Sequence, residues 1–70
     1  MRRIPVSSRA VVSVGYDAGT STLEVEYVSG GVYRYSPVPR RVFDGLLAAD
    51  SIGTYLTTHV KPHYPYARVG

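Results

Sequence analysis

Cysteine is missing from the 70 residues, and lysine occurs once, as Lys61. Without thiols there is no disulfide, no thiolate metal site and no cysteine nucleophile, and a reducing cytoplasm is the expected compartment. Charged residues make up only 19% of the chain, yet the hydrophobic share of 44% is too high for a disordered segment. No apolar run approaches the roughly 20 residues that span a bilayer, so no membrane association is expected. The basic start Met1-Arg2-Arg3 leads into Ser7, Ser8 and Arg9 rather than an apolar stretch, which argues against a secretory signal. Seventy residues leave room for one small domain, residues 1–70, with a thin stability margin and residues 1–6 expected as a flexible arm.

What is present is arginine and tyrosine. Eight Lys+Arg against five Asp+Glu give a net charge of +3 and a pI near 9.5, and seven of the eight cations are arginine. That balance permits an anionic partner, and arginine suits bidentate phosphate contacts better than lysine does.

Three segments of the first half alternate with period two. Ala10, Val12, Val14 and Tyr16 share one predicted face; Leu23, Val25 and Tyr27 share another; Tyr33 and Tyr35 a third. Asp17 to Thr22 and Ser29-Gly30-Gly31 between them are turn chemistry. A three-residue loop, Ser29 to Gly31, would pair Val28 with Val32, Tyr27 with Tyr33 and Val25 with Tyr35, and set Glu26 opposite Arg34. In that register all the large residues fall on one face, leaving Ser13, Glu24, Glu26 and Arg34 outside. A slip of one residue would reverse every side chain, so burial selects it. The third strand is then expected at a sheet edge.

The second half changes period. Val42, Phe43, Leu46 and Leu47 recur at helical spacing after Pro39, a good first helical residue. Gly45 inside this helix costs up to about 1 kcal/mol relative to alanine. The helix is expected to stop near Ala49 and Asp50, with Ser51 capping a second one striped by Ile52, Tyr55, Leu56 and Val60 and ended by Pro62. The tail from His63 to Gly70 is too aromatic for a free end and is expected to pack back. The predicted architecture is α+β: a three-stranded antiparallel meander followed by two helices packed on one sheet face. Its expected core holds Tyr16, Tyr27, Tyr33, Tyr35, Phe43, Leu46 and Tyr55.

These landmarks resemble the KTSC domain family, small domains named for the carboxyl end of some lysyl-tRNA synthetases and also found alone in bacteria and phages. The matching residues are Ser7-Ser8, Gly15-Tyr16-Asp17, Leu23-x-Val25 and Gly31-x-Tyr33-x-Tyr35, the last containing the family's central YxY. They continue through Val38-Pro39, Ala49-Asp50-Ser51-x-Gly53-x-Tyr55 and Val60-Lys61-x-x-Tyr64-x-Tyr66-x-Arg68. The chain departs at Thr54, where the family often has a basic residue, and at Thr57, where it often has asparagine; both changes weaken a polar site on the second helix. The resemblance implies no catalytic activity, and through the synthetase association it implies RNA as a partner for a family whose function is unsettled.

Residue chemistry points the same way. His59 and His63 have the spacing of two helical metal ligands, but Pro62 intervenes and no carboxylate lies nearby in sequence, so neither a metal nor a cofactor is expected. No serine sits in a nucleophile-elbow setting, and the chain is too small for a deep cleft, so no enzyme is expected. The candidate nucleic-acid-binding residues are the cations Arg9, Arg40, Arg41, Lys61 and Arg68. Arg40 and Arg41 open a helix, where free N–H groups favour anions. Lys61 and Arg68, with Tyr64 or Tyr66, form a second edge, and Arg9 belongs to a basic arm with Arg2 and Arg3. The leading expectation is weak binding of RNA or single-stranded nucleic acid through arginine–phosphate contacts. The alternative is a protein-interaction module that docks on a larger enzyme or phage assembly, as a monomer or weak homo-oligomer.

Overall fold

A computed structural model describes all 70 residues. Its central hairpin closes where the two glycines stand: Gly30 and Gly31 adopt φ of +102° and +95°, a region that side chains rarely enter. The N–H of Gly30 donates to the Tyr27 carbonyl at 3.0 Å, and the N–H of Tyr27 to the Gly31 carbonyl at 3.1 Å. The loop is therefore three residues long, as expected, but runs from Val28 to Gly30.

That placement moves the register by two. Leu23 faces Tyr35, Val25 faces Tyr33, and Glu24, not Glu26, faces Arg34. A shift of two preserves which face each side chain occupies, so the tyrosines stay with Leu23 and Val25 on the inner face, as the alternation requires.

The sheet has five antiparallel strands in sequential order, not three. They are β1 (Arg3–Pro5), β2 (Val11–Asp17), β3 (Thr22–Tyr27), β4 (Val32–Tyr35) and β5 (Tyr66–Arg68). Half of the predicted flexible arm is thus a strand, with Arg3 opposite Gly15 and Pro5 opposite Ser13 on β2. The tail does pack back, as β5 against β4, which pairs Tyr33 with Arg68 and Tyr35 with Tyr66. The third strand of the meander is consequently interior, and the sheet edges are β1 and β5. Three-residue strands show too little alternation to be read from sequence.

A bulge on β2 sets Val11 opposite Tyr27 and Ser13 opposite Glu26, leaving Val12 as the extra residue. Val11 is buried and Val12 is 43% exposed, the reverse of the predicted phase, while Val14 and Tyr16 keep theirs.

Two helices cover the inner face. α1 (Arg40–Ala48) buries Phe43 and Leu46, but Leu47, expected in its stripe, is exposed. Pro39 precedes this helix with extended backbone and is its cap rather than its first residue. α2 (Ile52–Tyr55) is capped by Ser51, whose Oγ accepts from the Thr54 N–H at 3.2 Å, and continues as a π-helical turn, Leu56–Val60. Gly45 has a packing reason: a Cβ there would collide with the Tyr55 hydroxyl, which donates to the Val42 carbonyl at 3.0 Å.

Of the predicted core, Tyr35, Phe43 and Leu46 are buried; Tyr16, Tyr27, Tyr33 and Tyr55 pack half-buried against them. Val11, Val14, Leu23, Val25, Val38, Leu56 and Val60 complete the core. No helix is long and apolar enough to cross a membrane.

Candidate nucleic-acid interface

The inner face runs beyond its helical cover at the β3–β4–β5 end. There Tyr27, Tyr33, Tyr35 and Tyr66 line a groove of about 310 Å³, together with Lys61. The rings are fitted to one another: Tyr27 meets Tyr33 edge-on at 5.5 Å between centroids, and Tyr66 tilts against Tyr33 at 5.6 Å and Tyr35 at 5.8 Å. Tyr35 is the floor at 2% exposure and Tyr66 the open wall at 64%. The Tyr27 and Tyr35 hydroxyls share a 2.7 Å hydrogen bond. Burial pushes both phenols up from their ordinary value, and the hydroxyl contact with Tyr35 raises Tyr27 further, so both remain protonated at neutral pH.

Two cations stand over these rings. Lys61 Nζ is 5.2 Å from the Tyr27 centroid and Arg68 Cζ 5.9 Å from that of Tyr33, within the range of cation–π attraction. The π-helical turn delivers Lys61: its N–H reaches back to the Leu56 carbonyl at 2.8 Å, one residue farther than in an α-helix. β5 delivers Arg68, whose pairing opposite Tyr33 puts it on the inner face, with its Nε donating to the Gly70 carbonyl at 2.9 Å.

The remaining candidates divide. Arg9 lines a second groove, which it shares with Tyr27 and Lys61. Arg40 and Arg41 open α1 and line neither groove; Arg40 is engaged by Asp44 at 3.3 Å and lies 5.8 Å from the Tyr16 centroid. Tyr64 packs half-buried against the core and lines neither groove. The structure therefore sets Lys61 and Arg68 over tyrosine rings, places Arg9 on the adjoining groove, and sets Arg40 and Arg41 apart. None of Arg9, Lys61 and Arg68 has an Asp or Glu side chain within ion-pair distance, although Arg68 Nε is held by the Gly70 oxygen; the ion pairs with acidic side chains belong to Arg3, Arg34 and Arg40. Sequence reasoning placed Tyr33 and Tyr35 as scaffold but missed that the same face opens at one end, because nothing in the strand alternation shows where helical cover stops.

The outer face is of a different kind. Glu24 sits between Arg34 Nε at 2.7 Å and Arg3 Nε at 3.4 Å, its side chain only 9% exposed. Ser13 Oγ donates to Glu26 at 2.9 Å beside them. Arg3 Nη1 is buried without a partner. The histidines are separate, His59 tilted against Tyr55 at 4.7 Å and His63 edge-on to Tyr64 at 6.4 Å, and no three metal-binding side chains come together.

Comparison with known proteins agrees with this fold along nearly its whole length. The chain is 44% identical over 70 residues to an uncharacterized protein of Stutzerimonas stutzeri, covering 99% of each. It is 42% identical over 60 residues to a protein of Tsukamurella paurometabola, covering 86% of this chain and 90% of that one. The crystal structure of a KTSC domain protein from Yersinia pestis superposes with a TM-score of 0.96 at 32% identity, over 99% of this chain and 97% of the other. The KTSC domain pattern itself matches residues 7–64, which takes in Tyr27, Tyr33, Tyr35 and Lys61 and stops before Tyr66 and Arg68. This chain belongs to the KTSC domain family.

Proposed function

We propose that this domain is a non-catalytic module that binds single-stranded nucleic acid weakly, through the tyrosine groove and the cations beside it. The observation that carries this reading is that Lys61 and Arg68 stand over the rings of Tyr27 and Tyr33, with Arg9 on the groove that adjoins at Tyr27, and that none of the three pairs with an Asp or Glu side chain. Exposed rings stack unpaired bases, at about 1–3 kcal/mol per base, while nearby cations hold the backbone. A duplex keeps its bases stacked on one another and gains little from such a groove. The groove's own titratable groups are phenols and one lysine, a set fitted to holding a ligand rather than exchanging protons at neutral pH. A reducing cytoplasm is the compartment this reading assumes.

The alternative, protein docking, cannot use the third strand as an edge, because β5 pairs with it; the edge passes to β5 and the exposed Tyr66 and Val69 of the tail.

Titration of a labelled single-stranded oligonucleotide by fluorescence anisotropy tests the proposal. Three phosphate contacts on a single strand give a log–log salt slope of about −2. Replacing Lys61 and Arg68 together by alanine is expected to weaken binding about tenfold or more, on the order of 1.4 kcal/mol. Replacing Arg40 and Arg41 should change it little. Absence of salt-sensitive micromolar binding at about 50 mM salt would remove the proposal.

A further inference from the structure

The second groove has a different lining from the first. It is larger, about 720 Å³, and joins the tyrosine groove through Tyr27, Ser29 and Lys61. Tyr27 is its only ring. Beyond that ring its surface carries the hydroxyls of Ser51, Thr54, Thr57 and Thr58, with Arg9 and Lys61 as its cations and no carboxylate. A seat for stacked bases would need more aromatic surface, whereas hydroxyls between two cations match a sugar–phosphate backbone.

The hydroxyl protons decide which sugar. A threonine hydroxyl has one proton to donate and two lone pairs to accept with. Thr57 Oγ1 already donates to the Gly53 carbonyl at 3.0 Å, and Thr58 Oγ1 to the Thr54 carbonyl at 2.8 Å. Both side chains are exposed, so what they offer a ligand is lone pairs. A phosphate oxygen, being an acceptor, gains nothing from them and is left to Arg9, Lys61 and the Thr54 hydroxyl, which accepts from Ser51 Oγ and keeps its own proton. A ribose 2′-hydroxyl is a donor and fits them; deoxyribose has no such group. Thr57, which on sequence weakens a polar site on this helix, here supplies an acceptor.

We propose that this second groove holds the ribose–phosphate backbone of RNA, with Thr57 and Thr58 accepting from 2′-hydroxyls and Arg9 holding a phosphate beyond the nucleotide seated among the tyrosines. The proposal rests on the nucleic-acid reading given above and adds to it a preference for RNA over DNA and a ligand longer than one nucleotide.

The test keeps the base constant and varies sugar and length: a hexauridylate, its deoxyuridine counterpart and uridine monophosphate, titrated against the full chain. The RNA hexamer is expected to bind several-fold tighter than the DNA hexamer. Thr57→Val with Thr58→Val should abolish that difference by weakening RNA alone, with thermal unfolding of the variant showing that the fold is kept. Arg9→Ala should weaken the hexamer about fivefold, the upper end for an exposed ion pair. It should also make the hexamer salt slope shallower by about 0.7 while leaving the mononucleotide unaffected. Equal RNA and DNA affinity, a preference that survives the valine substitutions, or an Arg9→Ala variant that binds the hexamer normally would overturn the inference while leaving the tyrosine groove as a binding site. Failure of both hexamers to bind would instead remove the underlying reading.

Discussion

On the outer face of the sheet, Glu24 holds two arginines at 2.7 and 3.4 Å; across the sheet, Lys61 and Arg68 stand over tyrosine rings and meet no Asp or Glu side chain. Both regions combine strand residues with cations, and strand register accounts for much of the difference. Opposite Arg34 on β3 lies Glu24, whereas opposite Arg68 on β4 lies Tyr33. The outer arginines are matched by Glu24 and Glu26 on the same face, so the potential there is close to neutral. The inner cations keep their charge available to a ligand. A net charge of +3 says nothing about this division; the pairing of each cation does.

Several substitutions would break or sharpen the contrast. The largest effect belongs to Tyr35, which floors the groove and belongs to the core. Tyr35→Ala should cost about 3–5 kcal/mol in urea unfolding, enough to unfold a large fraction of so small a domain. Tyr35→Phe should keep the fold and cost about 1 kcal/mol through the lost hydroxyl pair. Next is Glu24→Ala, expected to lose about 1–2 kcal/mol because Arg3 and Arg34 are left without their partner but can turn to water. Oligonucleotide binding should survive it, whereas alanine at Lys61 and Arg68 should weaken binding with a stability change within about 0.5 kcal/mol.

The smallest effect at ordinary pH is the tyrosine titration. With folded-state values raised above the ordinary 10.0, the Tyr27 and Tyr35 phenols stay protonated in the native state after the unfolded chain has released its protons. The unfolded state then binds fewer protons, so the contribution is intact below pH 10 and falls as pH rises toward the folded-state values. The slope is at most about 1.4 kcal/mol per pH unit per group. Urea midpoints measured above pH 10 should fall more steeply for the native sequence than for Tyr27→Phe.

Much of this architecture can be read from residues, for reasons that also mark where reading fails. Period-two alternation in Leu23, Val25 and Tyr27 reports the face of a strand, and so the inward tyrosines were legible. It does not report register in steps of two, and with Gly30 and Gly31 adjacent the hairpin could close at either glycine. An inserted residue such as Val12 disturbs the period too briefly to be noticed, and β1 and β5 are shorter than the period needs. The helical spacing of Leu56 and Val60 gave the helix but not its π-helical turn, which depends on a single backbone step. For the site, the sequence suggests an edge of Lys61 and Arg68 with Tyr64 or Tyr66, and the structure sets Lys61 over Tyr27 and Arg68 over Tyr33. Their meeting with Tyr27 and Tyr33 was hidden because β5 brings distant residues together.

Mapping backbone amide shifts by nuclear magnetic resonance while a single-stranded oligonucleotide is added tests the division of the two faces most directly. The expected perturbations centre on Tyr27, Tyr33, Lys61, Tyr66 and Arg68, with Glu24 and Arg34 unmoved. Perturbations centred on Arg3, Glu24 and Arg34, or on Arg40 and Arg41 at the start of α1, would contradict it.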